Sequence, residues 1–291
     1  MTASAAQPIV VGVDGSAESL DAVRWAARAA RRRGAPLEIV YALDFSALLA
    51  GGVVPPPEEM KDVLRVRGHR YLRTAAELAS AQGVPDAATR LDPDRAAQAL
   101  VDASGAAALL VAGSSGKGRL TGLLAGSVAS AVSAHARCDT VIVRGDTWDE
   151  AEQAKQPILA GIDGGEASGR VLATALDEAA ARHAPLVVLH AWADDPPPHE
   201  AGHPEHHESV AGAGHRLLTD RLAGHDTGDV EIDRVVVRTH PRRELIERSG
   251  AAQLVVLGDR GRGGFPGLLL GSTGQALLHN AACPVYLVRT S

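Results

Sequence analysis

Pro8-Ile-Val-Val-Gly-Val-Asp14-Gly-Ser16 returns 149 residues later as Pro157-Ile-Leu-Ala-Gly-Ile-Asp163-Gly-Gly165. At the same shift, Ala35-Pro-Leu-Glu-Ile-Val-Tyr-Ala42 corresponds to Ala184-Pro-Leu-Val-Val-Leu-His-Ala191. At a shift of 145, Ser104-Gly-Ala-Ala-Ala-Leu-Leu-Val-Ala-Gly113 matches Ser249-Gly-Ala-Ala-Gln-Leu-Val-Val-Leu-Gly258, and Cys138-Asp-Thr-Val-Ile-Val-Arg144 matches Cys283-Pro-Val-Tyr-Leu-Val-Arg289. A repeat of this length is a duplicated domain, because solenoid repeats are only tens of residues long. The change of shift is a net four-residue deletion in the second half relative to the first, in the divergent middle. At about 100–200 residues per domain, the chain could hold one domain or two. The repeat decides for two: residues 1–145, a polar linker at 146–156, and residues 157–291.

Within each half, short apolar runs rich in β-branched residues alternate with stretches rich in Ala, Arg and Glu. The first half predicts strands at 8–13, 36–43, 87–91, 107–112 and 140–144, with helices at 17–33, 58–82, 94–104 and 127–136. Alternation of this kind is that of βαβ units and a parallel sheet. Leu109-Leu-Val-Ala112 is apolar at every position, as a strand must be when helices cover both faces. The expected architecture is therefore α/β, with two tandem doubly wound parallel sheets. Hydrophobic residues make up 45% and charged residues 22%, enough apolar content for a packed core. Aromatics are only 3%, so Ala, Val, Leu and Ile must fill that core.

In open parallel sheets, ligands bind beyond the carboxyl ends of the strands, where the strand order reverses. The fourth strand of the first half runs into Gly113-Ser-Ser-Gly116, then nine residues, then Gly126-Ser127 at a helix start. The second half gives Gly258-Asp-Arg-Gly261, nine residues, and Gly271-Ser272. Glycines let backbone N–H groups converge and let a bulky anion approach the main chain. A helix N-terminus adds donors and partial positive charge. Ser127 and Ser272 fit either a helix cap or a phosphate ligand. Asp14 and Asp163, at the end of the first strand, fit an Asx turn, a ligand contact, or both. The pattern is not a Walker A loop, because Gly116-Lys117 is followed by Gly118 and the second copy has no Lys. Nor is it the dinucleotide fingerprint, which follows the first strand and not the fourth.

These motifs, with Arg24-Trp25-Ala26-Ala27 and His190-Ala191-Trp192, make the whole chain resemble a tandem universal stress protein of the ATP-binding type, in the actinobacterial two-domain style. The resemblance implies an adenine nucleotide alpha hydrolase-like fold with five parallel strands in the order 3-2-1-4-5. It implies ATP, with Mg2+, as the ligand of each half. Carried over by position, Asp14 and Asp163 contact the nucleoside, and the main chain of Ala42 and Ala191 contacts adenine. Gly113, Gly116, Gly126 and Ser127 hold ribose and phosphates, with Val128 adding a backbone N–H. Gly258, Gly261, Gly271, Ser272 and Thr273 do so in the second half. The resemblance also implies a homodimer, or pairing between the two halves, through the final strands at 141–143 and 286–288.

Lys117, Arg119, Arg260 and Arg262 lie in or beside the two glycine loops and are placed to neutralise phosphate. The histidines at 199, 203, 206 and 207 have no counterpart in the first half and read as a solvated loop, with Zn2+ or Ni2+ binding as the alternative. Cys138 and Cys283 are too few for a disulfide framework and suit packing. Trp25 and Trp192 read as core or pocket wall. The net charge of −6 argues against a nucleic-acid binder. The N-terminus lacks the charged start of a signal peptide, and no apolar run reaches a membrane span, so the expected location is the cytoplasm. No general base, paired carboxylate metal site or His-paired nucleophile accompanies the loops. The reading is a nucleotide-binding regulator with little or no turnover. A slow ATPase or other adenine-nucleotide enzyme, and a nucleotide-free interaction module, are the alternatives.

Overall fold

The computed structural model describes residues 6–44, 58–116, 125–144, 155–192, 204–261 and 269–290. The chain divides into two compact units, Met1–Arg144 and Gly145–Ser291. In the first unit the elements run β1 (Ile9–Val13), α1 (Ala17–Arg33), β2 (Leu37–Ala42), α2 (Glu58–Ala81), β3 (Ala88–Asp92), α3 (Ala96–Ala103), β4 (Leu109–Gly113), α4 (Ser127–His135) and β5 (Asp139–Val143). The second repeats the series as β6 (Ile158–Gly161), α5 (Ser168–Arg182), β7 (Leu186–Trp192), α6 (Pro204–Leu222), β8 (Ile232–Arg238), α7 (Pro241–Ser249), β9 (Leu254–Gly258), α8 (Ser272–Asn280) and β10 (Val285–Val288).

The strand order is β3-β2-β1-β4-β5 in the first unit and β8-β7-β6-β9-β10 in the second, so each is 3-2-1-4-5. Every pairing within these two series is parallel. The register sets Ile9 between Leu37 and Leu109, and Ile158 between Leu186 and Leu254. All six of these side chains are buried, as a strand with helices on both faces requires. Burying one Leu or Ile side chain stabilises the fold by about 1.5–3 kcal/mol. Strand order reverses between β1 and β4, and between β6 and β9, which opens a crevice at their carboxyl ends.

The helix opening the first unit packs through small side chains. In α1, Ser16 caps the N-terminus by accepting from the Ser19 N–H at 3.2 Å. Ala22, Ala26, Ala27, Ala29 and Ala30 are fully buried, small enough to let the helix backbone approach the sheet, while Trp25 is also buried. Gly34 ends the helix at φ 59°, and its N–H bonds the carbonyls of Ala30 and Arg31. The matching position after α5 is His183, held in the same left-handed conformation at φ 53°. A side chain at such a position is strained, whereas glycine is not. His183→Gly is therefore expected to raise stability by about 1 kcal/mol in urea unfolding, and Gly34→His to lower it similarly.

Candidate functional site

Asp14 and Asp163 stand just beyond β1 and β6, before turns through Gly15 (φ 80°) and Gly164 (φ 79°). In each unit the two carboxylate oxygens have separate surroundings. Oδ1 of Asp14 accepts from the Ser16 N–H at 2.9 Å and the Ser16 hydroxyl at 2.5 Å. Oδ1 of Asp163 accepts from the Gly165 N–H at 2.8 Å and the Ser168 hydroxyl at 3.2 Å. Oδ2 faces the glycine loop: a Cβ on Gly116 would lie 2.5 Å from Asp14 Oδ2, and one on Gly261 would lie 3.0 Å from Asp163 Oδ2. The aspartate thus builds the Asx turn with one oxygen and presents the other to the loop. β1 and β2 pair Val13 with Tyr41, which sets Asp14 and Ala42 at neighbouring strand ends.

The loop after the fourth strand is pinched at its base. Gly126 N–H donates to Ser114 O at 2.8 Å, and Gly271 N–H to Asp259 O at 2.7 Å. Gly126 and Gly271 are themselves the N-caps of α4 and α8, so neither first turn has a side-chain cap. Ser127 and Ser272 are consequently the first helical residues and exposed, so the capping alternative does not describe them. Val128 and Thr273 follow in the same turn. The glycines differ in what demands them. A Cβ at Gly113 would sit 2.8 Å from Glu18 O, and one at Gly258 2.9 Å from Arg260 O, so both are required by close backbone approach. At Gly126 and Gly271 the nearest atoms would be 3.4 and 3.5 Å away, which is ordinary contact.

In the second unit these elements enclose a cavity of about 480 Å³. Asp163, Ala191, Gly258, Gly261, Gly271, Ser272 and Thr273 all line it. Its lining combines the aliphatic side chains of Ile162, Val171, Leu189, Leu245 and Leu257 with the glycines, Ser272, Asp163 and Arg260. No aromatic ring is among the described lining residues. Pro241 and Leu245, from the first turns of α7, also line the cavity and belong to no motif of the sequence. Their signal was a glycine inside a strand. A Cβ at Gly161 would meet Leu245 Cδ1 at 3.1 Å, and one at Gly12 would meet Leu100 Cδ1 at 2.6 Å.

Other residues of the loops and motifs take different places. Asp259 is buried and turned toward the C-terminal strand, where Oδ1 accepts from Thr290 Oγ1 at 2.5 Å and Oδ2 lies 3.4 Å from Arg289 Nη1. Trp192 lies within β7, half-buried, and Cys138 is half-buried where Cys283 is buried. Lys117, Arg119, Arg262, His199 and His203 fall outside the described residues, while His206 and His207 stand on α6 and not in a loop. Tyr41 packs against Tyr71, ring centroids 5.7 Å apart, where the second unit has His190 with Nδ1 2.8 Å from Ile162 O. Burial pushes the Tyr41 phenol above its ordinary value, with the Arg67 charge opposing. A raised phenol pKa means stability present below about pH 10 and lost as pH rises through the folded value. Tyr41→Phe is expected to flatten that alkaline loss in denaturation followed from pH 9 to 11.

Among the described residues no group of three or more His, Cys, Asp or Glu could hold a metal ion, and no helix is long and apolar enough to cross a membrane. The chain is 38% identical over 288 residues to a universal stress protein of Mycobacterium tuberculosis H37Rv, covering 97% of this chain and 96% of that one. It is 37% identical over 294 residues to one of Mycolicibacterium smegmatis, covering 97% and 96%. Its fold is shared by a universal stress protein from Archaeoglobus fulgidus, with a TM-score of 0.70 at 14% identity over 98% of this chain and 99% of that one. The family model for universal stress proteins matches residues 6–144 and again 155–289, spanning both copies of the sheet, the aspartate turn and the pinched glycine loop. The chain belongs to the universal stress protein family, with two of the family's domains in tandem.

Proposed function

We propose that each unit binds ATP, with Mg2+, and that the protein is a cytoplasmic stress-response regulator that turns the nucleotide over slowly or not at all. The observation that carries this reading is the second-unit cavity, which gathers all seven candidate residues of that half around one space. Its size lies within the range of small-molecule sites, about 300–1,000 Å³. Adenine is assigned to the aliphatic side chains and the main chain of Ala191. Asp163 Oδ2 takes the ribose hydroxyls. The phosphates meet the N–H groups of Gly261, Gly271, Ser272 and Thr273, where convergent donors and the helix N-terminus favour negative charge. Asp14, Ala42, Gly113, Gly116, Gly126, Ser127 and Val128 have the same roles in the first unit. Magnesium usually binds through one or two carboxylates plus phosphate oxygens and water, so it is assigned to arrive with the nucleotide.

The test is native purification followed by mass and absorbance analysis of released ligand. Adenine nucleotide in the protein, or stoichiometric uptake of added ATP, is the expected result. A nucleotide-free protein that takes up no added ATP overturns the reading. ADP accumulating over many turnovers, and abolished by Gly126→Ala with Gly271→Ala, would overturn the low-turnover part alone.

A further inference from the structure

The two units share their glycines and aspartates but not the charge of one wall of the site. In the first unit, the first turn of α1 places Glu18 beside the glycine loop, where the Ser115 hydroxyl lies 3.4 Å from Glu18 Oε1. The backbone of Glu18 is what Gly113 approaches, since a Cβ there would lie 2.8 Å from Glu18 O. At the matching place in the second unit stands Ala167, whose Cβ is 3.6 Å from the position a Gly258 Cβ would take. The counterpart of Ser115 is Arg260, and both Ala167 and Arg260 line the cavity. A carboxylate with a hydroxyl in one unit is thus a methyl group with a guanidinium in the other.

Other charges differ as well: Glu166, exposed one position before Ala167, stands where the first unit has Ala17. Asp14 and Asp163 are common to both sites. Asp259, the one extra acid in the second loop, is buried against Arg289 and Thr290. Beyond the described residues, both loops carry further basic residues, Lys117 and Arg119 in one and Arg262 in the other.

We propose, on the reading that both sites hold adenine nucleotides, that the two sites select different phosphate chains. The second site takes the triphosphate through Arg260 and needs no divalent cation to do so. The first site discriminates little in favour of added phosphates, because Glu18 repels each one, and it takes the monophosphate comparatively well. The physical ground is that a guanidinium gives charge-assisted hydrogen bonds to phosphate oxygens, while a carboxylate at the same place repels them.

Each site is isolated by silencing the other: Gly126→Ala leaves the second, and Gly271→Ala leaves the first. ATP and AMP are titrated calorimetrically into both full-length variants in chelator, where the phosphate chain keeps its full charge. The preference for ATP over AMP is expected to be about ten- to hundredfold greater at the second site. Arg260→Ser in the Gly126→Ala background is expected to reduce that preference at least about tenfold, by weakening ATP far more than AMP. Glu18→Ala with Ser115→Arg in the Gly271→Ala background is expected to raise it at the first site. Equal preferences at the two sites overturn the proposal, as does loss of ATP from the second site in chelator. So does an Arg260→Ser variant that weakens both nucleotides alike. Wild-type protein that binds neither nucleotide even with magnesium would instead sink the parent reading.

Discussion

Gly271→Ala is expected to cut ATP affinity at the second site by at least about a hundredfold while leaving the fold intact, since two or more charge-assisted contacts are lost together. The backbone there is at φ −66°, ψ 153°, which any L residue adopts. The added methyl group would lie 3.5 Å from Asp259 O, 3.6 Å from Arg260 Cα and 3.7 Å from Gly261 N, so the protein accommodates it. That same position covers the Gly261 amide, which is where the phosphate is assigned. With no strain, the substitution narrows the unfolded ensemble and leaves the ligand-free protein unchanged or stabilised by up to about 1 kcal/mol. Calorimetry on the variant is expected to show one fewer nucleotide per chain, with a melting temperature no lower than that of ligand-free wild type. Unchanged stoichiometry contradicts the assignment of phosphates to this loop. Gly113→Ala is the contrasting control. Its methyl group would collide with the Glu18 carbonyl at 2.8 Å, so it is expected to lose about 1–3 kcal/mol of stability whether or not ligand is present.

Glu178→Ala is expected to destabilise the second unit by about 3–5 kcal/mol, the cost of breaking a buried ion pair from one side. Glu178 is 3% exposed and Arg182, one turn on in α5, 10% exposed. Arg182 Nε donates to Glu178 Oε2 at 2.8 Å, and Nη1 donates to Gln253 Oε1 at 3.3 Å. Gln253 Nε2 in turn donates to Gln156 O at 2.7 Å, so the network ties α5 to the entries of β6 and β9. Removing the carboxylate takes away the charged partner of the buried guanidinium. In the first unit the position of Glu178 is Ala29, which is fully buried. The double variant Glu178→Ala with Arg182→Leu should therefore recover most of the loss, because two apolar groups leave no uncompensated charge. Hydrogen exchange of the β6 and β9 amides in urea measures both. A Glu178→Ala variant within 1 kcal/mol of wild type would show that water reaches Arg182 and that the pair is not a buried one.

The elements lie close to where their local sequence signals place them. Helix α1 is observed at Ala17–Arg33, the range its Ser16 start and Gly34 stop predict, because both signals are local backbone chemistry. β4 is displaced toward its glycine, ending at Gly113 and not at residue 112, because Gly113 still pairs with Val143 in the neighbouring strand. A ladder partner is a tertiary fact and leaves no mark on the strand's own residues. The serines of the two signatures show the same limit. Sequence places them at a helix start, yet the capping position belongs to the preceding glycine, because that N–H is drawn back to the loop base at Ser114 O or Asp259 O.

By itself the sequence determined the duplication, the strand–helix alternation and the glycine spacing, since each depends only on which residues follow one another along the chain. The parallel order 3-2-1-4-5 followed from the family pattern in those residues. The tertiary structure alone decided which glycines serve packing and which lie open to the cavity. It divided the aspartate oxygens between turn and loop, brought Leu245 to the cavity wall, and turned Asp259 toward Arg289. These are distances between segments far apart in the chain, set by how closely side chains of particular volume let two backbones approach. Composition and spacing along the chain carry no such length, so a site whose glycines can be counted in the sequence acquires its walls and its charge only when the chain is packed.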